Sequence, residues 1–281
     1  MDQLSPLFSH YTLSARVFYS GRLCGYSDFD TSPGIGHLHL LRQGSVSVRG
    51  TGSKVIQVIQ PSVIFYPRPQ QHRFQVSHQD GAELVCAEID FGAGTGNPLV
   101  CGLPELMIIP LSEIAGLQSL LDLLFGEAFA DNCGRQAAVN RLTEYFLVLL
   151  LRHAINTNLI NMGIFAGLSD ARLARAITAM HEKPDYPWSL ELLAQEANMS
   201  RTRFAVNFRK TVGVTPLEYL TGWRVSVAQT LLKRGQSLKI IAPSVGYGSS
   251  IALTRVFSKR VGTSPAVWLA AQLVKEQYGK K

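Results

Sequence analysis

The chain has little of what marks a secreted, disulfide-built or membrane protein. It holds four cysteines, Cys24, Cys86, Cys101 and Cys133, widely spaced and without a CxxC pair, so they default to thiols rather than a disulfide framework. The longest apolar run, Phe146 to Leu151, falls far short of the ~20 residues that cross a bilayer. Met1-Asp2-Gln3 carries no basic stretch and no apolar core follows it, so no secretory leader is expected and the cytoplasm is the expected location. Charged residues are sparse at 17%, yet 46% hydrophobic content and a mean hydropathy of +0.11 exclude wholesale disorder. With 281 residues the chain is long enough for two domains, each with its own core.

Charge is unevenly placed. Residues 1–167 hold ten Lys and Arg against thirteen Asp and Glu, whereas residues 168–281 hold seventeen against seven, giving −3 and +10 within a total of +7. A basic domain joined to a mildly acidic one points to a polyanionic partner for the basic part. Charge alone does not separate nucleic acid from an anionic membrane.

From Phe8 to about Phe91, short β-prone stretches alternate with Gly, Pro, Ser and Asp. Gly36–Leu41, Ser45–Val48, Val55–Ile59 and Val85–Ile89 read as strands, and their regular spacing predicts a sandwich or small barrel. Residues 92–98 are a Gly-rich break. After Pro110 the period changes: Ile114, Leu117, Leu121, Leu124 and Ala128 recur at helical steps, and a second helix over about 135–156 aligns Val139, Leu142, Phe146, Leu149 and Leu150. Burial against the β domain and a share in a dimer interface are both open for these helices.

The C-terminal region contains an internal repeat. Leu193-Ala194, Ala197-Asn198-Met199-Ser200, Phe204, Phe208, Val212-Gly213 and Pro216 return as Ile241-Ala242, Val245-Gly246-Tyr247, Ser249, Leu253, Phe257, Val261-Gly262 and Pro265. Each copy reads as helix, tight turn, helix and a Gly-x-x-Pro stop, the plan of a helix-turn-helix whose second helix enters the major groove. On that helix in the first copy, Thr202, Ala205, Val206 and Arg209 form one outward stripe. Small apolar groups there can meet thymine methyls while Arg209 reaches guanine or phosphate, and Arg201, Arg203 and Lys210 suit backbone phosphates. The second copy offers Ser250, Ile251, Ala252 and Arg255, with Lys259 toward the phosphates.

The run Asp170-x-Arg172-Leu173, Met180-His181, Pro184, Trp188-Ser189-Leu190-Glu191, Met199-Ser200-Arg201, Gly213-x-Thr215-Pro216 and Trp223-Arg224 closely resembles the AraC/XylS family of transcription regulators. Ile240-x-Ala242, Val245-Gly246-Tyr247-x-Ser249, Arg255-x-Phe257 and Gly262-x-Ser264-Pro265 resemble the family's second unit. The resemblance covers about 170–270 and implies two helix-turn-helix units joined by a long helix over about 216–234, set in successive major-groove segments of double-stranded DNA. Three departures stand out. Pro243 falls inside a predicted helix, where proline costs ~3 kcal/mol. Leu253 stands where the family has Phe. The stripe of the second unit lacks bidentate base readers, so the first unit is expected to discriminate more between sequences.

The β-rich half resembles the cupin-type sensory domain of one AraC subgroup, on Leu23-Cys24-Gly25, His39-Leu40-Leu41-x-x-Gly44, Pro67-x-x-x-x-His72-Arg73-Phe74 and Val85-Cys86-x-x-x-Asp90-Phe91. Pro61-Ser62 replaces the usual Gly-Asp turn. His37-x-His39 points two imidazoles to one face of a strand and His72 offers a third nitrogen. Metal-binding cupins follow such a pair with a carboxylate, but Arg42 and Gln43 occupy that neighbourhood here, so the histidines are expected to be structural or effector-contacting, with no metal or cofactor. Cys24, Cys86, His39 and His72 are the effector or redox candidates, and Cys24 and Cys86 are alternatively plain packing residues.

These readings amount to an α+β chain. A cupin-like sensory barrel (1–110) is followed by a helical dimerisation segment (111–157), a linker (158–169) and an all-α DNA-binding domain (170–281). The expected function is sequence-specific transcription regulation, without catalysis, by an effector- or redox-controlled activator. Its expected partners are DNA, RNA polymerase, a second copy of the chain and a small molecule, and no membrane. The alternative is a cupin-type metalloenzyme fused to a nucleic-acid-binding module.

Overall fold

The computed structural model describes residues 4, 7–8, 13–50, 55–91, 100, 102–157, 159–160 and 162–278, the last six of these by backbone alone. The Gly-rich break at 92–98 and Cys101 lie outside the described residues. Thr12–Phe165 makes one compact unit, and Ala166–Lys281 with Met1–Tyr11 the other.

The first unit is built on antiparallel strands in two sheets. β1 (Ser14–Leu23), β3 (Ile35–Gly44), β6 (Ser62–Tyr66), β8 (Ala82–Asp90) and β9 (Met107–Pro110) pair in the order β1-β8-β3-β6-β9. The strands β2 (Gly25–Phe29), β4 (Val46–Arg49), β5 (Val55–Val58) and β7 (His72–Val76) pair in the order β2-β7-β4-β5. Among the described residues no ladder joins one sheet to the other, so the expected barrel is a two-sheet sandwich that does not close. The chain crosses between sheets after β1 and after β3, at Gly25 and Gly44, which take left-handed φ values of 77° and 92°. A Cβ at Gly44 would collide with the carbonyl of Gly81, so only glycine fits that corner.

Both faces of β3 are covered. Leu38 and Leu40 are buried on one side, and His37, His39 and Leu41 on the other. Leu41 joins Ile64, Tyr66, Phe74, Leu84 and Cys86 in the core between the sheets.

Helices α1 (Gln118–Ala128) and α2 (Arg135–Asn156) pack together, and α2 crosses β1 at a bulge between Val17 and Tyr19. There the ladder lapses and α2 satisfies the freed backbone: Val17 N–H donates to Asn140 Oδ1 at 2.9 Å and Gln136 Nε2 donates to the Val17 carbonyl at 2.7 Å. Leu121, Leu124, Val139, Phe146 and Leu150 are all buried within the unit, while Leu123 and Tyr145 remain exposed.

The second unit is helical. α3 (Gly163–Ser169), whose last four residues open this unit, occupies most of the stretch read as a linker. Asp170 caps α4 (Ala171–Glu182) by accepting from Arg172 N–H at 2.8 Å. Gly167 of α3 lies against the side-chain methyls of Ile177 and Val212, which would have to move aside for a Cβ there. Beyond α4 come α5 (Leu190–Glu196), α6 (Arg201–Val212), α7 (Pro216–Lys233), α8 (Leu238–Ser244), α9 (Ser250–Val261) and α10 (Pro265–Tyr278). Pro243 falls in the last turn of the seven-residue α8, where a helix is ending in any case, so the expected mid-helix break does not arise.

Candidate nucleic-acid interface and sensory core

The two helix-turn-helix units are α5–α6 and α8–α9. Ser189 opens α5, its Oγ accepting from Leu192 N–H at 3.2 Å. After α5 the chain turns at Asn198, the one non-glycine residue with positive φ among the described residues (49°), and Met199 N–H returns to the Ala194 carbonyl at 2.9 Å. Ser200 then caps α6 through Arg203 N–H at 3.4 Å. The second unit repeats the device at Ser249, which accepts from Ala252 N–H at 3.2 Å. Gly213 and Gly262 end α6 and α9 in the left-handed region, with φ of 89° and 83°.

Phe204 and Phe208 on α6, and Leu253 and Phe257 on α9, are fully buried, which fixes the rotation of each helix about its axis. Thr202, Val206 and Arg209 are consequently exposed, and Ala205 is half-buried beside them. On α9, Ile251 is 82% exposed, and Arg255 and Lys259 are exposed too, with Ser250 and Ala252 half-buried. Ile251 thus adds an apolar group to an otherwise polar helix face, in the place that Val206 holds on α6. Arg201 is also exposed, but its Nε pairs with Glu191 Oε1 of α5 at 2.9 Å, so in the free protein this cation already has a partner. Arg203 and Lys210 flank the stripe and are exposed.

The long helix α7 joins the units. Thr215 and Glu218 form a reciprocal capping box at its start, with Pro216 at the first position. Midway along it, Arg224 donates from Nε to the Pro184 carbonyl at 2.7 Å and from Nη2 to the Tyr186 carbonyl at 2.8 Å. The same guanidinium lies over the Tyr247 ring, 5.7 Å from its centroid.

In the N-terminal sandwich, His37 and His39 of β3 and His72 of β7 meet inside the core, each at most 7% exposed. His39 Nε2 lies 2.8 Å from His72 Nε2. His72 Nδ1 donates to the Gln70 carbonyl at 2.8 Å, so its Nε2 is the acceptor toward His39. The His72 ring is sandwiched between Tyr66 (4.0 Å) and Phe29 (4.9 Å). Burial pulls all three imidazoles below their usual range, His72 to about 4, so they are uncharged at neutral pH.

Cys24 is exposed and Cys86 is buried, its thiol pushed far up by desolvation. Both lie near the hydroxyl of Tyr19, whose own proton is held more tightly through burial first and then through the two sulfurs. A cavity of about 620 Å³ opens beside the N-terminus of α1, lined by Arg42, Leu111, Ile114, Leu121 and Phe125 among others.

The cupin family model matches residues 2–156, and a helix-turn-helix domain model matches residues 193–271. The chain is 31% identical over 256 residues to an HTH-type transcriptional regulator of Haemophilus influenzae, covering 83% of this chain and 85% of the relative. It is 39% identical over 210 residues to an AraC-like transcription regulator of Streptomyces lividans, covering 72% of this chain and 68% of the relative. This chain belongs to the AraC family. A third member, the RCS-specific transcriptional activator RclR of Escherichia coli, is 28% identical over 85% of this chain and 87% of its own length.

As an AraC-family regulator the protein binds DNA through its helix-turn-helix domain, and its relatives are regulators rather than enzymes. Among the described residues no helix is long and apolar enough to cross a membrane. The structure brings the α6 stripe and the α9 stripe each onto one open helix face, and it gathers His39 and His72 in the sandwich core. Cys24 and Cys86 sit in unlike surroundings, one in water and one in the core. Sequence reasoning passed over Arg224 as a tie between units and Tyr66 as a wall of the histidine cluster. Arg224 carried no signal beyond its place in the family pattern, because its acceptors are backbone carbonyls about forty residues away.

Proposed function

We infer that this AraC-family protein is a homodimeric transcription activator whose DNA contacts are made by Thr202, Ala205, Val206 and Arg209 of α6 and by Ser250, Ile251, Ala252 and Arg255 of α9. Arg201, Arg203, Lys210 and Lys259 serve the phosphates. The observation that carries the reading is the pair of open, partly apolar helix faces, Val206 at 64% and Ile251 at 82% exposure, on helices that also expose Arg203, Arg209 and Lys210 or Arg255 and Lys259, in a domain of net charge +10. Base edges and thymine methyls would cover such faces.

The N-terminal unit is the sensory part. A cavity lined by Arg42 and several apolar side chains supports a small amphipathic effector, and the exposed Cys24 beside Tyr19 supports a redox input. Activation implies contact with RNA polymerase in the cytoplasm, and the E. coli relative carries the name of an activator. Dimerisation through α1 and α2 rests on Leu123 and Tyr145, which stay exposed where the rest of the apolar stripe is used internally.

Selection of bound fragments from a random DNA pool by the full chain, followed by a reporter driven by the enriched site, tests the reading. Enrichment of a two-part site whose halves lie one helical turn apart, with raised transcription, supports it. A pool that stays unenriched overturns it.

A further inference from the structure

We propose that Arg260 grips a backbone phosphate on the stretch of DNA between the two major-groove segments, in a cleft where α9 packs on α7. Gly222 of α7, by lacking a side chain, lets the guanidinium lie there. The proposal rests on the reading of α6 and α9 as the helices that enter the grooves, and it adds a contact to the DNA between them.

The cleft measures about 480 Å³, and its lining includes Leu217, Glu218 and Thr221 of α7 and Val256, Lys259 and Arg260 of α9. On α9 the three recur at three- and four-residue steps, so they share one flank of the helix. Arg260 follows Arg255 by five residues and is turned about 140° from it around the axis. It therefore points to α7 and not into the groove assigned to Arg255. Its guanidinium lies over Gly222: a Cβ built there would stand 2.9 Å from Nη2 and 3.5 Å from Cζ. A side chain at 222 would push the guanidinium off α7.

Charge decides the occupant. Glu218 is the one carboxylate that lines the cleft, and its Oε2 is already committed, accepting from Thr215 N–H at 2.9 Å and from Thr215 Oγ1 at 2.7 Å. These bonds hold its carboxyl below the usual range, and the charges of Arg209 and Arg260 add to the effect. Glu218 thus marks a place that both units reach, Arg209 from α6 and Arg260 from α9. Among the described residues no carboxylate pairs with Arg209, Lys259 or Arg260. Three unspent cations around one committed carboxylate leave the place positive. Leu217, 45% exposed, and the half-buried Val256 add apolar surface beside it. A phosphate between two deoxyriboses offers both the charge and the apolar cover, and a planar guanidinium fork matches two phosphate oxygens. On one face of the duplex, successive major-groove segments are separated by the backbones that flank a minor groove, so phosphates are what such a cleft meets.

The test uses the full chain and the selected operator, with a single methylphosphonate placed in turn at each phosphate between its two halves. Removing one of these charges should weaken wild-type binding about tenfold at one or two positions and leave Arg260→Ala indifferent there. Arg260→Ala on unmodified DNA should lose operator and random sequence alike, with a salt slope lower by about one. Gly222→Ala should keep the native circular dichroism and melt no lower than wild type, since alanine favours a helix interior, yet bind DNA as weakly as Arg260→Ala. If Arg260→Ala keeps wild-type affinity while Arg209→Ala loses it, the proposal is overturned and the reading of the helices stands. A methylphosphonate scan in which wild type and Arg260→Ala respond alike at every position overturns it too. So does a folded Gly222→Ala variant with undiminished affinity.

Discussion

Arg224 lays its guanidinium over the ring of Tyr247, 5.7 Å from the centroid, while two of its nitrogens hold the carbonyls of Pro184 and Tyr186. One side chain on α7 thus joins the segment before the first helix-turn-helix unit to the turn of the second. Arg224→Ala would leave both carbonyls without their donor and free the turn, at a cost of about 1–3 kcal/mol. Arg224→Lys should rescue little, since an ammonium cannot serve both carbonyls and the ring at once. Urea denaturation of the C-terminal unit measures the loss. A lysine variant as stable as the wild type would show that the planar fork is not needed.

Arg209 and Lys210 are neighbours on α6 with different expected tasks. Arg209 lies on the open stripe, so Arg209→Ala should weaken binding to the selected operator by about 1–3 kcal/mol and relax one base position. Lys210→Ala should weaken operator and random DNA about equally and lower the salt slope by about one. Fluorescence anisotropy against both DNAs separates the two. An Arg209 variant with undiminished operator affinity would remove that residue from the reading surface.

The buried histidines make the N-terminal sandwich sensitive to acid. His72 is lowered to about 4, and His37 and His39 are lowered as well, while an unfolded chain protonates histidine near 6.5. Between these values the unfolded state binds more protons, so stability is full above pH 6.5 and falls as the pH drops toward 4. His72 alone accounts for on the order of 3 kcal/mol of that loss. Glu88, facing His37 across the ladder, opposes the shift of His37, and Arg16 pairs with Glu88 at 2.6 Å. Wild type and His72→Phe, unfolded in urea at several pH values, should diverge below pH 6.5. Parallel profiles would contradict the buried neutral state.

Cys24 and Cys86 should react at very different rates. The thiolate is the reacting form, and Cys86 is 1% exposed with its ionisation opposed by burial. Iodoacetamide mapped by mass spectrometry should mark Cys24 in the native protein and Cys86 only with unfolding. If a redox input exists, Cys24 is oxidised first, and Cys24→Ser abolishes the transcriptional response. Native labelling of Cys86 at the rate of Cys24 would reverse this order.

The packing of α3 sets where the helical unit has to begin. A fragment starting at Gly163 should be more stable than one starting at Asp170, because Gly167 seats α3 against Ile177 and Val212. Thermal denaturation of both fragments tests it, and equal stability would make α3 dispensable.

The helical unit was legible because its signals are local. Ser189, Ser200 and Ser249 cap the helices within three residues, Gly213 and Gly262 stop them, and Phe204 and Phe208 sit one turn apart. Such short-range rules set which face of α6 and α9 is open before any packing is known. Most of α3 was hidden, since Gly163–Ser169 looks like a linker until Ile177 and Val212 are placed against it.

The amino-acid order by itself determined the two-unit plan, the basic charge of the DNA-binding part, the strands around His37 and His39, and the side of each recognition helix that faces out. Alternation along β3 already put both imidazoles on one face. Only the tertiary structure decided that this face looks onto His72, because β3 and β7 belong to different sheets and no ladder register links them. It likewise decided that the sheets stay two, turned apart at Gly25 and Gly44, and that Cys86 is sealed while Cys24 meets water. These are contacts between segments far apart in the chain, and they are settled by how whole layers pack rather than by any residue's neighbours in sequence.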